Sequence, residues 1–370
     1  MKKILFLIHD LGSGGAEKVL VNLVNNLDPA KFDITVLSLF GGGVNQQFIK
    51  PHIRVITIFK KEFPGNSHIL KLLTPKQLHK RFIKDKYDIE VSYLEGPSAR
   101  IISGCPNEET KLVSWIHFTA KSHKELAESF RTKKEAERCY NKFHRMVFVS
   151  KGSKEAFVKF CPLSNPINVL YNVNPSESIV EKSQESVDDV CLSGDEFKLC
   201  SVGRLIKVKG YERLINIHKR LLDEGANLKT YILGTGAEQE NLQKQIDENG
   251  LSESVTLLGY QTNPYKYVSK CDLFVCSSFS EGFSTAATES LIVGTPVCTV
   301  EVSGMKEMLG ENNEYGIVTN NDEESLYQGI KQLIDDPALL SHYREMAKER
   351  AKAFTTAETV KAVEEMLLNL

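Results

Sequence analysis

Three features of the 370-residue chain predict an α/β protein built from two Rossmann-like, doubly wound domains. Short apolar runs of strand length alternate with helix-patterned segments, the order that builds a parallel sheet covered on both faces. That alternation occurs twice, on either side of a polar, aperiodic stretch around Asn174-Pro-Ser-Glu-Ser. The length is too great for one ordinary core and suits two.

In the first half, Ile4-Leu-Phe-Leu-Ile8 reads as a fully buried strand. It runs through Leu11-Gly-Ser-Gly-Gly-Ala-Glu17 into Lys18–Leu27, whose apolar positions recur at helical spacing. Strand-like runs follow at 32–39, 53–58, 89–93, 111–117 and 146–150, with helical patterns between most of them. The first domain is therefore placed at 1–172 and a linker at 173–195. A second set begins with strands at 198–202, 229–233, 255–258, 273–276 and 296–300 and helices over 211–225 and from Glu238. This second domain is placed at 196–350. The segment 351–370 reads as a C-terminal helix able to pack across the domain boundary.

No apolar run reaches the roughly 18 to 20 residues of a membrane span, and the run after Met1-Lys-Lys is strand-like rather than a signal sequence. A cytoplasmic location is expected, with no nucleic-acid partner. The eight cysteines contain no C-x-x-C pair and several sit in apolar runs, so buried free thiols are expected rather than disulfides or a zinc site. The net charge of −2 conceals a split. Residues 1–180 carry 27 Lys+Arg against 17 Asp+Glu, net +10, leaving 19 against 31, net −12, for the rest. Ten of those basic residues fall between Lys50 and Lys86, around Ile69-Leu-Lys-Leu-Leu73 and Leu78-His-Lys-Arg-Phe-Ile83. Two readings suit that mixture: a helix drawn to an anionic membrane surface through residues 50–86, or a surface helix whose apolar stripe packs on its own domain.

The most informative spacing is Glu281 to Glu289 in Ser280-Glu-Gly-Phe-Ser-Thr-Ala-Ala-Thr-Glu-Ser290, just after the apolar run 273–276. A strand ending there delivers Glu281 to the sheet rim where α/β folds bind ligands. A helix starting at Ser284-Thr285 points its free amides the same way and favours phosphate. Two carboxylates and an amide nest suit a sugar, a ribose and a diphosphate; on spacing alone they equally suit solvated surface charges. In Ser201-Val-Gly-Arg-Leu-Ile-Lys-Val-Lys-Gly210 a strand ends at a glycine followed by Arg204 and Lys209, cations able to neutralise a diphosphate or simply to serve as surface charges. Gly234, in Leu233-Gly-Thr-Gly236, and Tyr260, in Leu258-Gly-Tyr, follow strands and can enclose a base. Gly14 and Gly15 allow close backbone approach, but the loop lacks the P-loop Lys-Ser/Thr and the full G-x-G-x-x-G spacing. His117 ends a strand of the first domain and is open to a structural role or a place in the cleft between domains; His9 invites the same two readings.

Taken together, Gly14-Gly-Ala-Glu17, Val202-Gly-Arg-Leu with Lys209-Gly, Leu233-Gly-Thr-Gly, and Glu281 with Glu289 in an E-x7-E pattern resemble the retaining nucleotide-sugar glycosyltransferases of family 4. The resemblance covers nearly the whole chain in order and implies the GT-B architecture, two Rossmann-like domains facing a central cleft. It implies that Glu281 accepts hydrogen bonds from donor-sugar hydroxyls and that the amides of Phe283, Ser284 and Thr285 hold sugar and phosphate. Glu289 would bind the ribose, Arg204 and Lys209 the diphosphate, and His117 would approach the transferred sugar. No protein nucleophile, cofactor or metal is implied, and the chain has no D-x-D motif. One departure is Ser284, where many members have Gly, which bears on donor identity.

The expected activity is metal-independent, retaining transfer of a hexose or N-acetylhexosamine, from a UDP-sugar in the first instance, to a saccharide hydroxyl. The basic first domain suits a lipid-linked oligosaccharide acceptor at the inner membrane face, as in surface-polysaccharide assembly. Two other readings stand beside it: a nucleotide-sugar epimerase or phosphorylase on the same plan, and a non-catalytic nucleotide-sugar-binding partner subunit. Turnover with and without acceptor separates them.

Overall fold

A computed structural model of the chain describes residues 1–12, 14–65, 70–190 and 192–370. Ser13 of the glycine loop, Ile69 of the basic segment and Cys191 lie outside the described residues. The chain forms two compact units, one of Met1–Asn174 with Thr356–Leu370, the other of Pro175–Thr355.

The first unit holds a seven-stranded parallel sheet. Its strands are Lys2–Ile8 (β1), Phe32–Phe40 (β2), Arg54–Phe59 (β3), Ile89–Ser92 (β4), Lys111–Ile116 (β5), Arg145–Phe148 (β6) and Ile167–Val169 (β7). The order β3-β2-β1-β4-β5-β6-β7 reverses between β1 and β4. β1 pairs on both sides, Ile4 opposite Ile34 and Ile89, so Ile4 to Ile8 are wholly buried. That explains a continuous apolar run where a half-exposed strand would alternate.

The second unit repeats the plan with Phe197–Val202 (β8), Leu228–Leu233 (β9), Val255–Gly259 (β10), Leu273–Cys276 (β11), Val297–Val300 (β12) and Ile317–Thr319 (β13), in the order β10-β9-β8-β11-β12-β13. Here the reversal lies between β8 and β11, paired at Leu199 with Leu273 and Cys200 with Phe274. Both units thus have parallel, doubly wound Rossmann-like sheets.

Several expectations need correction. The stretch 173–195 is not an irregular linker throughout, because Ser176–Ser183 is a helix of the second unit that buries Ile179. Its apolar face is a single turn, too short for its period to stand out. The last segment does not run as one helix from 351: a helix over Pro337–Ala351 passes into a short turn at Lys352–Phe354, and a separate helix spans Thr356–Leu368. That final helix belongs to the first unit, where Glu364 accepts from the Asp28 amide at 2.8 Å and from Lys31 Nζ at 2.6 Å. Lys2 Nζ donates to the Leu367 carbonyl at 3.0 Å.

Of the two readings of the basic segment, packing accounts for its apolar residues. A helix over Pro75–Phe82, capped by Thr74, buries Leu78 and Phe82, and Ile83 after it, while Lys76, Lys80 and Arg81 face outward. Only Leu72, 76% exposed, is a large apolar side chain left open in that stretch among the described residues. No helix among the described residues is long and apolar enough to cross a membrane. The seven described cysteines are free and buried.

Candidate functional site

In an open parallel sheet the loops on either side of the order reversal diverge and leave a crevice at the strand ends. In the second unit those loops follow β8 and β11, and they are stitched together. The Phe279 amide donates to the Val208 carbonyl at 2.8 Å, and Ser277 Oγ donates to the Lys209 carbonyl at 3.0 Å. Gly210 makes this approach possible: its φ is +66°, and a Cβ there would stand 2.2 Å from the Ser277 carbonyl oxygen. Gly234, at φ +141°, is pressed closer still: a Cβ there would stand 1.9 Å from the Gly203 carbonyl oxygen.

Within this frame Glu281 meets Lys209. Glu281 Oε1 accepts from Lys209 Nζ at 2.7 Å and from Ser278 Oγ at 2.5 Å, and the two charged side chains are 10% and 25% exposed respectively. A carboxylate so placed needs its partners, because desolvation without them is costly. Four residues on, Thr285–Ile292 is a helix with Ser284 as its cap. Ser284 Oγ accepts from the Ala287 amide at 3.3 Å, so the amides of Thr285 and Ala286 have no acceptor within the helix. Phe283 is buried, its ring 6.0 Å from that of Phe354.

Glu289 lies in the same helix and is buried at 6% exposure, its Oε1 accepting from Tyr265 Oη at 3.2 Å. Arg204 and Tyr260 are exposed at the ends of β8 and β10. The structure therefore brings Lys209, Ser278 and Glu281 into direct contact, with Ser284 and Thr285 opening the adjoining helix, and leaves Arg204 and Tyr260 on the open rim.

In the first unit the loop after β1 is shaped by Asp10. Its Oδ1 accepts from the Gly12 amide at 2.6 Å and its Oδ2 lies 2.8 Å from His9 Nδ1, a bond that raises the His9 pKa. Gly14 caps the helix Gly15–Asn26 in an extended conformation. His117 follows β5, ringed by Tyr93 at 4.8 Å and Trp115 at 6.5 Å between centroids. Burial drives its pKa down to about 3, so the imidazole is neutral near pH 7, and its Nε2 is buried with no hydrogen-bond partner among the described residues. The His117 amide donates to a Glu95 carboxylate oxygen at 3.2 Å, and burial raises the Glu95 pKa.

Sequence reasoning missed Glu95, Asp10, Ser278, Tyr265 and Arg213. Glu95 and Ser278 follow the apolar runs of β4 and β11, a signal of the same kind that singled out Glu281; Arg213 carries none, since it lies inside a helical pattern, and Tyr265 opens a helix of four residues, Tyr265–Val268, too short to show one.

Among the described residues one group offers metal-ligand atoms close together: His79, Glu90 and Cys105, all buried, with those atoms within 4.8 Å of one another. His79 Nε2 is 2.8 Å from Glu90 Oε2. Burial opposes charge on His79, but hydrogen bonds with Cys105 and Glu90 outweigh it and bring its pKa up to about 9. The imidazolium and carboxylate thus satisfy each other in the core of the first unit.

Comparison with known proteins bears on the family and the fold. Residues 13–173 match the family model Glycosyltransferase Family 4, and residues 183–353 match Glycosyl transferases group 1. The chain is 33% identical over 368 residues to the N-acetylgalactosamine-N,N'-diacetylbacillosaminyl-diphospho-undecaprenol 4-alpha-N-acetylgalactosaminyltransferase of Campylobacter jejuni, covering 96% of each. It is 32% identical over 151 residues to the lipopolysaccharide core biosynthesis glycosyltransferase LpsD of Rhizobium meliloti, covering 41% of this chain and 43% of that one. Among solved structures, Anabaena Alr3699/HepE in complex with UDP and glucose superposes with a TM-score of 0.80 at 22% identity over the whole of both chains. The apo form of the lipopolysaccharide outer core galactosyltransferase WaaB gives 0.73 at 18% identity over 99% of each. These two likenesses concern the fold, which is that of GT-B glycosyltransferases.

Proposed function

Because the chain belongs to the glycosyltransferases of family 4, we propose that it moves a hexose or N-acetylhexosamine from a UDP-sugar to a saccharide hydroxyl with retention of configuration. The observation that carries this reading is the contact of Lys209, Ser278 and Glu281 beside a helix N-terminus, at the order reversal of a Rossmann-like sheet.

In this mechanism Lys209 and Arg204 neutralise the diphosphate, and the amides of Thr285 and Ala286 hold phosphate oxygens. Glu281 accepts hydrogen bonds from sugar hydroxyls, and Glu289, steadied by Tyr265, accepts from the ribose. Gly234 lets the loop after β9 press against Gly203, the residue that precedes Arg204. The bond from the anomeric carbon to the β-phosphate oxygen breaks while the acceptor oxygen bonds that carbon on the same face. The acceptor proton passes to the departing diphosphate, whose charge the cations stabilise. No protein nucleophile, metal or cofactor has a step in this scheme.

The C. jejuni relative acts, by its name, on a diphospho-undecaprenol-linked saccharide. That supports a lipid-linked acceptor here, met at the cytoplasmic membrane face by the outward charges of Lys76, Lys80, Arg81, Lys84 and Lys86. The test is transfer from UDP-, GDP- and ADP-sugars to lipid-linked saccharides, with magnesium or with EDTA, the product anomer being read by NMR. UDP-sugar turnover that survives EDTA and keeps the anomer supports the reading; inversion, a need for metal, or reaction without acceptor overturns it.

A further inference from the structure

Arg213 is 4% exposed, although it lies on the helix Tyr211–Asp223 where an arginine would ordinarily reach solvent. Its guanidinium is spent on one stretch of backbone. Nε donates to the Ser277 carbonyl at 2.7 Å and Nη2 to the Ser278 carbonyl at 3.0 Å, while Nη1 donates to Asn321 Oδ1 at 2.9 Å. The same planar group lies over the Phe279 ring, 4.3 Å from its centroid. The residues it grips lead straight to the acid: Ser278 Oγ donates to Glu281 Oε1, and Ser277 Oγ holds the Lys209 carbonyl.

We propose that Arg213 is a positioning residue which, by fixing the carbonyls of Ser277 and Ser278, sets where Glu281 stands against the donor sugar; this rests on the role given to Glu281 above. The geometry demands arginine. Two carbonyls, an amide oxygen and a ring face are met by one rigid fork, and the single ammonium of lysine cannot reproduce that set. Without the fork the Ser277–Phe279 backbone keeps its link to Val208 but loses the anchors that orient Ser278. A displacement of about 1 Å in a group that aligns substrate costs roughly 100-fold in rate.

The readout is the affinity for a UDP-sugar relative to bare UDP, measured by calorimetry beside kcat, in Arg213→Lys, Arg213→Met, Asn321→Ala and, as a reference, Glu281→Gln. Both Arg213 variants are expected to lose the extra affinity conferred by the sugar and roughly 100-fold in kcat, with UDP affinity kept within about threefold. Asn321 is exposed, so Asn321→Ala should fold normally and shift the same ratio by a smaller factor. Folded Arg213 variants with an unchanged ratio and kcat overturn the proposal. If they do not fold, Asn321→Ala decides, and an unchanged ratio there overturns it equally. A normal ratio in Glu281→Gln instead removes the role of Glu281 itself, which separates failure of that reading from failure of this one.

Discussion

Lys209 Nζ lies 2.7 Å from Glu281 Oε1, so the cation proposed for the diphosphate and the acid proposed for the sugar hold each other directly. Neither charge is left uncompensated, although Glu281 is only 10% exposed. Donor binding then has to share or exchange this contact, which lets one event set both groups.

Removing either partner should therefore separate stability from activity. Lys209→Ala is expected to weaken UDP binding about tenfold and to cost on the order of 1 kcal/mol of stability, the lower end for an ion pair because Lys209 is a quarter exposed. Glu281→Gln, nearly the same in shape, should lower kcat by roughly 100-fold or more while the melting temperature moves little. Calorimetry and steady-state rates check both, and near-normal transfer by Glu281→Gln would remove the acid from the site.

Gly210 offers a sharper steric test. Alanine there meets the Ser277 carbonyl at 2.2 Å in a left-handed backbone, whereas alanine at Gly225, φ +92°, meets nothing within 4 Å. Gly225→Ala should cost about 1 kcal/mol for the backbone alone, and Gly210→Ala clearly more, together with weaker UDP binding. Denaturant unfolding of the pair gives the comparison; equal losses would mean that the loops after β8 and β11 are not fitted to each other.

Two histidines should give opposite pH signatures. The folded pKa of His79 is raised from 6.5 to about 9, so its stabilising contribution is complete below pH 6.5 and disappears as the pH rises through 9. His79→Gln should flatten the fall in melting temperature between pH 7 and pH 9.5. The folded pKa of His117 is depressed to about 3, so the unfolded chain takes up a proton that the folded one refuses, and stability falls as the pH drops from 6.5 toward 3. His117→Phe should soften that acid loss. Nitrogen chemical shifts of the two rings report the charge states directly.

For the membrane proposal, the apolar face of the Pro75–Phe82 helix is already buried, so attraction has to come from charge. Reversing Lys80, Arg81 and Lys84 to Glu should abolish sedimentation with anionic vesicles at low salt, since each basic residue near such a surface contributes about 1 kcal/mol. Leu72→Asp should weaken it less. Unchanged sedimentation by the triple variant would leave this face as an ordinary protein surface.

The parts of the fold visible in the sequence were those carried by local pattern. Ile4 to Ile8 and Leu273 to Cys276 are buried on both faces and read as unbroken apolar runs, and Glu281 lies in the loop that follows the second of them. Arg213 was invisible because its partners stand 64 and 65 residues further along the chain, and nothing near it distinguishes a buried arginine from a solvated one. The same holds for Tyr265, whose Glu289 partner is 24 residues away. β7 and β13, with three residues each, were too short to carry a period, and the docking of Thr356–Leu368 on the first unit depends on Asp28 and Lys31 at the far end of the sequence.

That docking orders events during synthesis. The second unit is continuous, Pro175 to Thr355, and can complete its sheet while the chain is still emerging. The first unit is begun earlier but lacks the helix that covers Lys2, Asp28 and Lys31 until Leu368 has left the ribosome. The portion made first is thus the last to be finished, and a chain cut after Thr355 would keep every residue of the second unit while its first unit lacked the helix that Lys2, Asp28 and Lys31 contact.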